Sequence, residues 1–168
     1  MPIPWLARVL AVLLSAAVTH VWAADMGNPL AEHVRAANVR FEDASAALAE
    51  GYTAISCLDG PDGVVTGVHY VNQRYLKDEM PAIGRPQALM YEPADDGQLT
   101  LVAVEYITFK GPAWLEGHPY QFVAAPNRYG PVPFYELLVW SDEPDSRGAF
   151  ADKSPTLRCE AAGRPPAP

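Results

Sequence analysis

The feature that most constrains the fold is a change in hydrophobic periodicity at Gly51. Before this glycine, apolar residues recur at every third or fourth position, which is typical of one face of an α-helix: Leu30, Val34, Ala37, Phe41, Ala44 and Leu48. Asn28-Pro29 has the residue types that favour a helix start, and glycine is common just after a helix end. We therefore predict one long amphipathic helix of about five to six turns before Gly51.

After Gly51 the apolar residues alternate with polar ones or form short runs, and both patterns indicate β-strands. About five strands are predicted, namely Tyr52–Cys57, Val64–Asn72, Gln87–Glu92, Leu99–Phe109 and Phe134–Trp140. A turn rich in Pro, Asp and Gly predicts an antiparallel hairpin between the third and fourth of them. The predicted fold class is α+β, with the long N-terminal helix packed on a curved, mainly antiparallel sheet. A β-sandwich with an added helix is the alternative.

The first 23 residues have the composition of a secretory signal peptide. Met1–Arg8 carries one positive charge, Val9–Val18 is apolar, and Val21-Trp22-Ala23 suits a cleavage site. We predict that residues 1–23 are removed, that residues 24–160 form a single globular domain, and that residues 161–168 form a flexible tail. The mature protein is then expected in the periplasm or outside the cell.

Cys57 and Cys159 are the two cysteines of the chain. An isolated pair in an oxidising compartment predicts one disulfide between them. A catalytic or metal-binding thiol is the alternative, and it is less favoured because neither cysteine lies in a C-x-x-C motif.

Composition and missing motifs restrict the function further. The formal net charge is −8 and there is no basic patch, which argues against nucleic acid as a partner. After Ala24 no apolar segment approaches the ~20 residues of a transmembrane helix, so none is predicted in the mature chain. The chain also lacks the sequence motifs of phosphate-binding loops, dinucleotide-binding folds, serine-hydrolase elbows and H-E-x-x-H metalloproteases. The oligomeric state stays open.

Three ionisable residues lie in the middle of predicted strands among apolar neighbours. They are His69, Glu105 and Glu136. A buried carboxylate is costly unless it is paired, protonated or bound to a metal. If the three faces coincide, a histidine and two carboxylates can hold one divalent transition metal or perform acid–base chemistry. Alternatively, the glutamates lie on a solvated face and His69 is a core histidine bonded to a backbone carbonyl.

Lys110–Pro133 is a long loop rich in Pro, Gly and aromatic residues, a type of loop that often forms lids or binding sites. His118 in this loop would complete the metal site from above, or it is an ordinary exposed loop histidine. Tyr70, Trp114 and Tyr120 are the aromatic candidates for lining a small-ligand pocket. Their alternative role is to cover one end of the core.

Four segments of the chain carry a resemblance to other proteins: GVHYVN at Gly67–Asn72, MYEP at Met90–Pro93, LVAVEYITF at Leu101–Phe109 and FYELLVW at Phe134–Trp140. They resemble an uncharacterised family of secreted bacterial proteins. The resemblance extends over most of the mature chain and includes both cysteines. The resemblance implies that the protein is exported, but it implies no biochemical activity, because none is assigned to that family. Many members of that family have His at the position of Leu138, so the resemblance also implies that this chain is a divergent member with a weaker metal site on that strand.

These observations lead to three hypotheses about function. The first is an exported domain that binds a small ligand or a metal ion around His69, Glu105 and Glu136. The second is a metal-assisted or acid–base hydrolase or lyase that uses the same three residues. The third is a structural or interaction protein of the cell envelope. No catalytic residue is assigned at this stage.

Overall fold

A computed structural model describes residues 28–55, 67–78, 80, 82–141 and 148–151. The predicted signal peptide, both cysteines of the predicted disulfide and the predicted C-terminal tail lie outside these residues. No helix in this part of the chain is long and apolar enough to cross a membrane.

The predicted long helix is wrong, because the segment before Gly51 consists of two short helices. Helix α1 covers Pro29–Asn38, a 3₁₀ turn covers Val39–Glu42, and α2 covers Ala44–Ala49. The start is as predicted, since the side chain of Asn28 accepts a hydrogen bond from the backbone N–H of Leu30.

Asp43 is the residue that interrupts the helix. Its backbone is extended, with φ −88° and ψ 106°, and its carboxylate accepts a 2.9 Å hydrogen bond from the backbone N–H of Ser45. Asp43 therefore ends one helical segment and caps the next, a role that aspartate performs well. The break rotates α2 relative to the predicted apolar face, so that Ala47 is buried and Leu48 is 55% exposed.

The strands are β1 (Thr53–Ile55), β2 (Val68–Val71), β3 (Ala88–Pro93), β4 (Leu99–Thr108), β5 (Trp114–Leu115), β6 (His118–Pro119), β7 (Gln121–Val123) and β8 (Phe134–Trp140), and helix α3 covers Gln73–Asp78. The main sheet has six strands, all paired antiparallel, in the order β1-β2-β3-β4-β8-β7. A separate hairpin is formed by β5 and β6. The α+β class, the mainly antiparallel sheet and the β3–β4 hairpin are confirmed. The sheet is open, and the predicted curvature is not found among the described residues.

The larger hydrophobic cluster lies between the helical segment and one face of the sheet. Leu30, Val34 and Phe41 belong to this cluster together with side chains of the central strands: Tyr70, Leu89, Tyr91, Val104, Tyr106, Leu137 and Val139. Tyrosine hydroxyls in this layer bind buried carbonyls, because a buried polar group needs a partner. Tyr91 donates to the carbonyl of Phe41 at 2.6 Å, and Tyr106 donates to the carbonyl of Ile83 at 2.6 Å. We call this side of the sheet the helix face.

The other side of the sheet, which we call the opposite face, carries two smaller clusters. Met90, Ala103 and Trp140 belong to one of them, and Val71, Ala88, Ile107 and Phe134 form the other. Ala151 packs in the first of these clusters, and its carbonyl accepts a 2.7 Å hydrogen bond from the indole N–H of Trp140.

A change of register between β3 and β4 alters the face of the sheet on which Leu101 lies. Met90 pairs with Ala103, but Tyr91 pairs with Leu101, so the register shifts by one residue. Such a β-bulge changes the face on which the following residues lie. Leu101 accordingly packs in the helix-face cluster, whereas strict alternation placed it beside Glu105.

Candidate functional site

The opposite face brings together the three mid-strand ionisable residues. His69 is on β2, Glu105 on β4 and Glu136 on β8. Nδ1 of His69 lies 3.4 Å from Oε2 of Glu105, and their side chains are 1% and 0% exposed. Glu136 is 14% exposed. The sequence left open whether the three faces coincide, and the structure places the three residues on one face of the sheet.

Arg128 joins the two carboxylates, and no pattern in the sequence indicates this role. Its Nη2 atom donates to Oε1 of Glu105 and to Oε2 of Glu136. A terminal guanidinium nitrogen carries two hydrogens, so Nη2 can donate to both acceptors. The guanidinium also lies over the rings of Tyr129 and Phe134, at 5.1 Å and 5.0 Å from their centroids. Buried carboxylates need a cation nearby, so the sequence could have indicated that a cationic residue is present, but not that it is Arg128.

Tyr129 completes the set that we call the carboxylate cluster: His69, Glu105, Arg128, Tyr129 and Glu136. The hydroxyl of Tyr129 donates to Oε2 of Glu105 at 2.8 Å. Each oxygen of Glu105 therefore has a donor, which is the condition for holding a carboxylate in a dry interior.

The environment moves the pKa values of the two glutamates in opposite directions. Burial alone would raise the pKa of Glu105, but the charge of Arg128 and the hydrogen bond with His69 hold it below its usual range. Burial and the negative charge of Glu105 raise the pKa of Glu136 well above its usual value, and Arg128 opposes this only in part. Two carboxylates and one guanidinium leave one negative charge uncompensated, and the raised pKa of Glu136 favours a proton there.

The predicted metal site needs an open position between its ligands, and Arg128 lies between the two carboxylates. Within the described ranges, no three His, Cys, Asp or Glu side chains are arranged to hold a metal ion. His118 does not join His69 and the glutamates in any described contact. Its ring stacks on Phe150 at 4.7 Å, and its Nε2 lies 3.4 Å from the side-chain nitrogen of Asn28.

The three predicted aromatic ligand-binding residues differ in their exposure. Tyr70 is buried on the helix face, where its ring contacts Tyr91 at 5.0 Å. Tyr120 is buried in the same cluster, and Trp114 is 61% exposed. The positions of Tyr70 and Tyr120 fit the alternative that such residues contribute to the core.

A cavity lies elsewhere, on the helix face, between the α1 region and strands β4 and β8. We call it the α1 groove, and its volume is ≈ 240 Å³. The lining comes from the helical segment and from the strands: Val34, Arg35, Asn38, Val39 and Glu42, and Leu101, Val104, Val139 and Ser141.

Two buried polar atoms belong to residues that line the α1 groove. Asn38 is 1% exposed, and its amide nitrogen donates to the carbonyls of Val34 and Ile83 at 2.8 Å and 2.9 Å. Its Oδ1 atom is buried and has no hydrogen-bond partner in the described part of the chain, and the same holds for Nε of Arg35. Buried polar atoms of native proteins almost always have partners, so these two positions call for an explanation.

In comparisons with known proteins, no family model, no curated protein and no solved structure matches the chain.

Proposed function

We propose that this protein is an exported domain that binds a small molecule, and that the α1 groove is its binding site. The supporting observation is the groove itself, whose walls combine aliphatic side chains of the helical segment and the sheet with four polar residues, Arg35, Asn38, Glu42 and Ser141. Apolar walls with a few fixed polar groups are the usual composition of small-molecule sites. The sequence of residues 1–23 supports export.

Ligand-detected NMR with a library of small fragments tests this proposal. Val39 lines the groove and is 56% exposed, so Val39→Phe places a larger side chain at its rim. Leu48→Phe is the matched control, because Leu48 is 55% exposed and does not line the groove. We expect fragments whose signals broaden with the wild type and with Leu48→Phe but not with Val39→Phe. Equal broadening with all three proteins, or with none, would refute the proposal and favour a structural or interaction role.

A second candidate function is acid–base chemistry at the carboxylate cluster, with Glu136 as the proton donor. It is favoured by the opposite pKa shifts of Glu105 and Glu136, since neighbouring carboxyls with separated pKa values are typical of acid–base pairs. Infrared spectroscopy tests the premise without a substrate. At neutral pH we expect the carbonyl band of one buried carboxylic acid in the wild type, and its loss in Glu136→Gln. A wild-type spectrum without that band would remove this candidate.

A further inference from the structure

The end of the β7–β8 hairpin has an exposed surface that is apolar and carries no charge. Phe122 and residues 124–126 and 131–133 are all exposed, and each of them is Phe, Val, Ala or Pro. We call these seven residues the tip surface. Residues 117–135 include a single Lys, Arg, Asp or Glu, which is Arg128, and its guanidinium binds the carboxylates of the carboxylate cluster. An exposed apolar patch of this kind is typical of an interaction site.

The tip surface is contiguous and held in place. β7 pairs antiparallel with β8, so the residues that follow β7 and those that precede β8 leave the strand pair side by side. Asn127 joins the two sides, because its Nδ2 donates to the carbonyl of Val132 at 2.8 Å and to that of Ala124 at 3.3 Å. Arg128 and Tyr129 anchor the same loop from inside through their bonds to the carboxylate cluster. A surface that is already fixed loses little conformational entropy when a partner binds.

Strand β7 borders the tip surface and lies at the edge of the main sheet. No described strand pairs with its outer side. Backbone groups at a free sheet edge can pair with a strand of another molecule. Phe122 is the middle residue of β7 and is 60% exposed. A two-fold axis beside Phe122 would therefore pair β7 antiparallel with β7 of a second copy, with Gln121 opposite Val123.

The charge of the chain favours a second copy as the partner. The formal net charge is −8, so two copies repel each other over most orientations, and like charges that face each other across an interface cost several kcal/mol. The tip surface and β7 carry no charge, so two identical molecules can meet there without this cost. An apolar surface is also self-complementary, which a two-fold interface requires.

We propose that two copies of this chain form a dimer through the tip surface and the outer edge of β7, with the two-fold axis beside Phe122. The tip surface and β7 together comprise nine residues. A stable interface of standard size has about 20–30 residues on each side. The expected dimer is therefore weak, with a Kd in the micromolar range.

Sedimentation equilibrium on protein purified after export tests the proposal. Phe122→Glu and Val132→Glu each place two like charges close to the two-fold axis, and each should raise the Kd of the dimer at least tenfold. Val132 is 52% exposed and lies outside the hydrophobic clusters of the described residues, so Val132→Glu is expected to fold. Leu48→Glu is the matched control, because Leu48 is 55% exposed on α2 and the substitution adds the same charge. It should leave the Kd unchanged.

Disulfide cross-linking tests the position of the axis. Residues that face each other in an antiparallel pair have Cα atoms about 4.5–5.5 Å apart, which is within reach of a disulfide. Phe122→Cys should therefore give a covalent dimer under mild oxidation. Leu48→Cys, which places a thiol at a similarly exposed site away from β7, should give none.

Three results would overturn the proposal. The first is a wild type that stays monomeric at ~100 μM, well above a micromolar Kd. The second is a dimer whose Kd is the same in Val132→Glu and in Leu48→Glu, since its interface would then lie elsewhere. The third is a monomer that binds vesicles of zwitterionic phosphatidylcholine and loses this binding in Val132→Glu, which would make a lipid surface the partner of the tip surface.

Discussion

Nδ1 of His69 lies 3.4 Å from Oε2 of Glu105, although β2 and β4 are not neighbours in the sheet. Strand β3 runs between them, and Ala88 of β3 pairs with Glu105. Because alanine has no side chain beyond Cβ, the imidazole and the carboxylate can meet above β3. The small side chain at Ala88 is therefore compatible with this contact across β3.

Removal of the cation should destabilise the protein more than any other single change in the cluster. Arg128→Met leaves Glu105, which is fully buried, without its main opposite charge. Breaking a buried ion pair by deleting one partner costs about 3–5 kcal/mol. Urea denaturation at neutral pH should show this loss in the free energy of unfolding. Arg74→Met, at an exposed position, should change it by less than about 0.5 kcal/mol. A similar effect of both substitutions would contradict an energetic role for the cluster.

The pH dependence of stability should reveal the proton on Glu136. Its pKa is raised in the folded state above its ordinary value of 4.5. Such a group is protonated in both states at low pH, and its contribution to stability is lost as the pH rises from 4.5 through the raised pKa. The wild type should therefore lose stability relative to Glu136→Gln over that window. Chemical denaturation of both proteins at a series of pH values measures the difference, and a constant difference would exclude the shift.

Glu105 should control the protonation of Glu136. The negative charge of Glu105 is one cause of the raised pKa of Glu136, after burial. In Glu105→Gln that charge is absent and Arg128 has a single carboxylate left to neutralise. We expect the pKa of Glu136 to fall, so that its carboxylic-acid infrared band disappears at a lower pH than in the wild type. If the band titrates at the same pH in both proteins, the two glutamates are not coupled.

The sequence was sufficient for β1 to β4 and β8, but not for β5 to β7, which lie in the predicted loop Lys110–Pro133, nor for the cation of the carboxylate cluster. Alternation within β2, β4 and β8 identified His69, Glu105 and Glu136 as mid-strand ionisable residues, but only the pairing of the strands shows that they lie on one face. Arg128 is in the loop between β7 and β8, and no periodicity indicates where a loop side chain points. The helix prediction failed for a related reason. The spacing of apolar residues continues across Asp43, while the local capping bond of this residue decides the break.

The α1 groove was also out of reach of sequence reasoning. Its lining combines residues of the α1 region with Leu101 and Val139, and Leu101 faces the helices only because of the β4 bulge. Arg35 and Asn38 are ordinary residues of an amphipathic helix in the sequence. What distinguishes them is the absence of hydrogen-bond partners for two buried atoms in the described structure, and only three-dimensional packing shows this.

The tyrosine bonds between sheet and helices should contribute measurably to stability. Tyr91→Phe removes the 2.6 Å hydrogen bond to the carbonyl of Phe41 without changing the ring. Because Tyr91 is fully buried, that carbonyl loses its partner in a dry environment, which costs about 1–3 kcal/mol. Thermal unfolding measures the loss. Tyr135→Phe serves as the control, since the hydroxyl of Tyr135 makes no hydrogen bond among the described residues and the residue is partly exposed. Equal melting temperatures of Tyr91→Phe and the wild type would contradict this view of the core.

Metal binding at the cluster, as the sequence predicts it, should be limited by Arg128. A guanidinium and a divalent ion compete for the same oxygens of Glu105 and Glu136, so loss of Arg128 should favour the ion. A ligand that binds only the folded state raises the melting temperature. We therefore expect Mn²⁺ or Zn²⁺ to raise the melting temperature of Arg128→Met well above its value in EDTA, and to raise that of the wild type less. Adding His69→Ala to Arg128→Met should reduce the rise if His69 is a ligand. If metal affects Arg128→Met and the wild type equally, the carboxylate cluster is not the site where it binds.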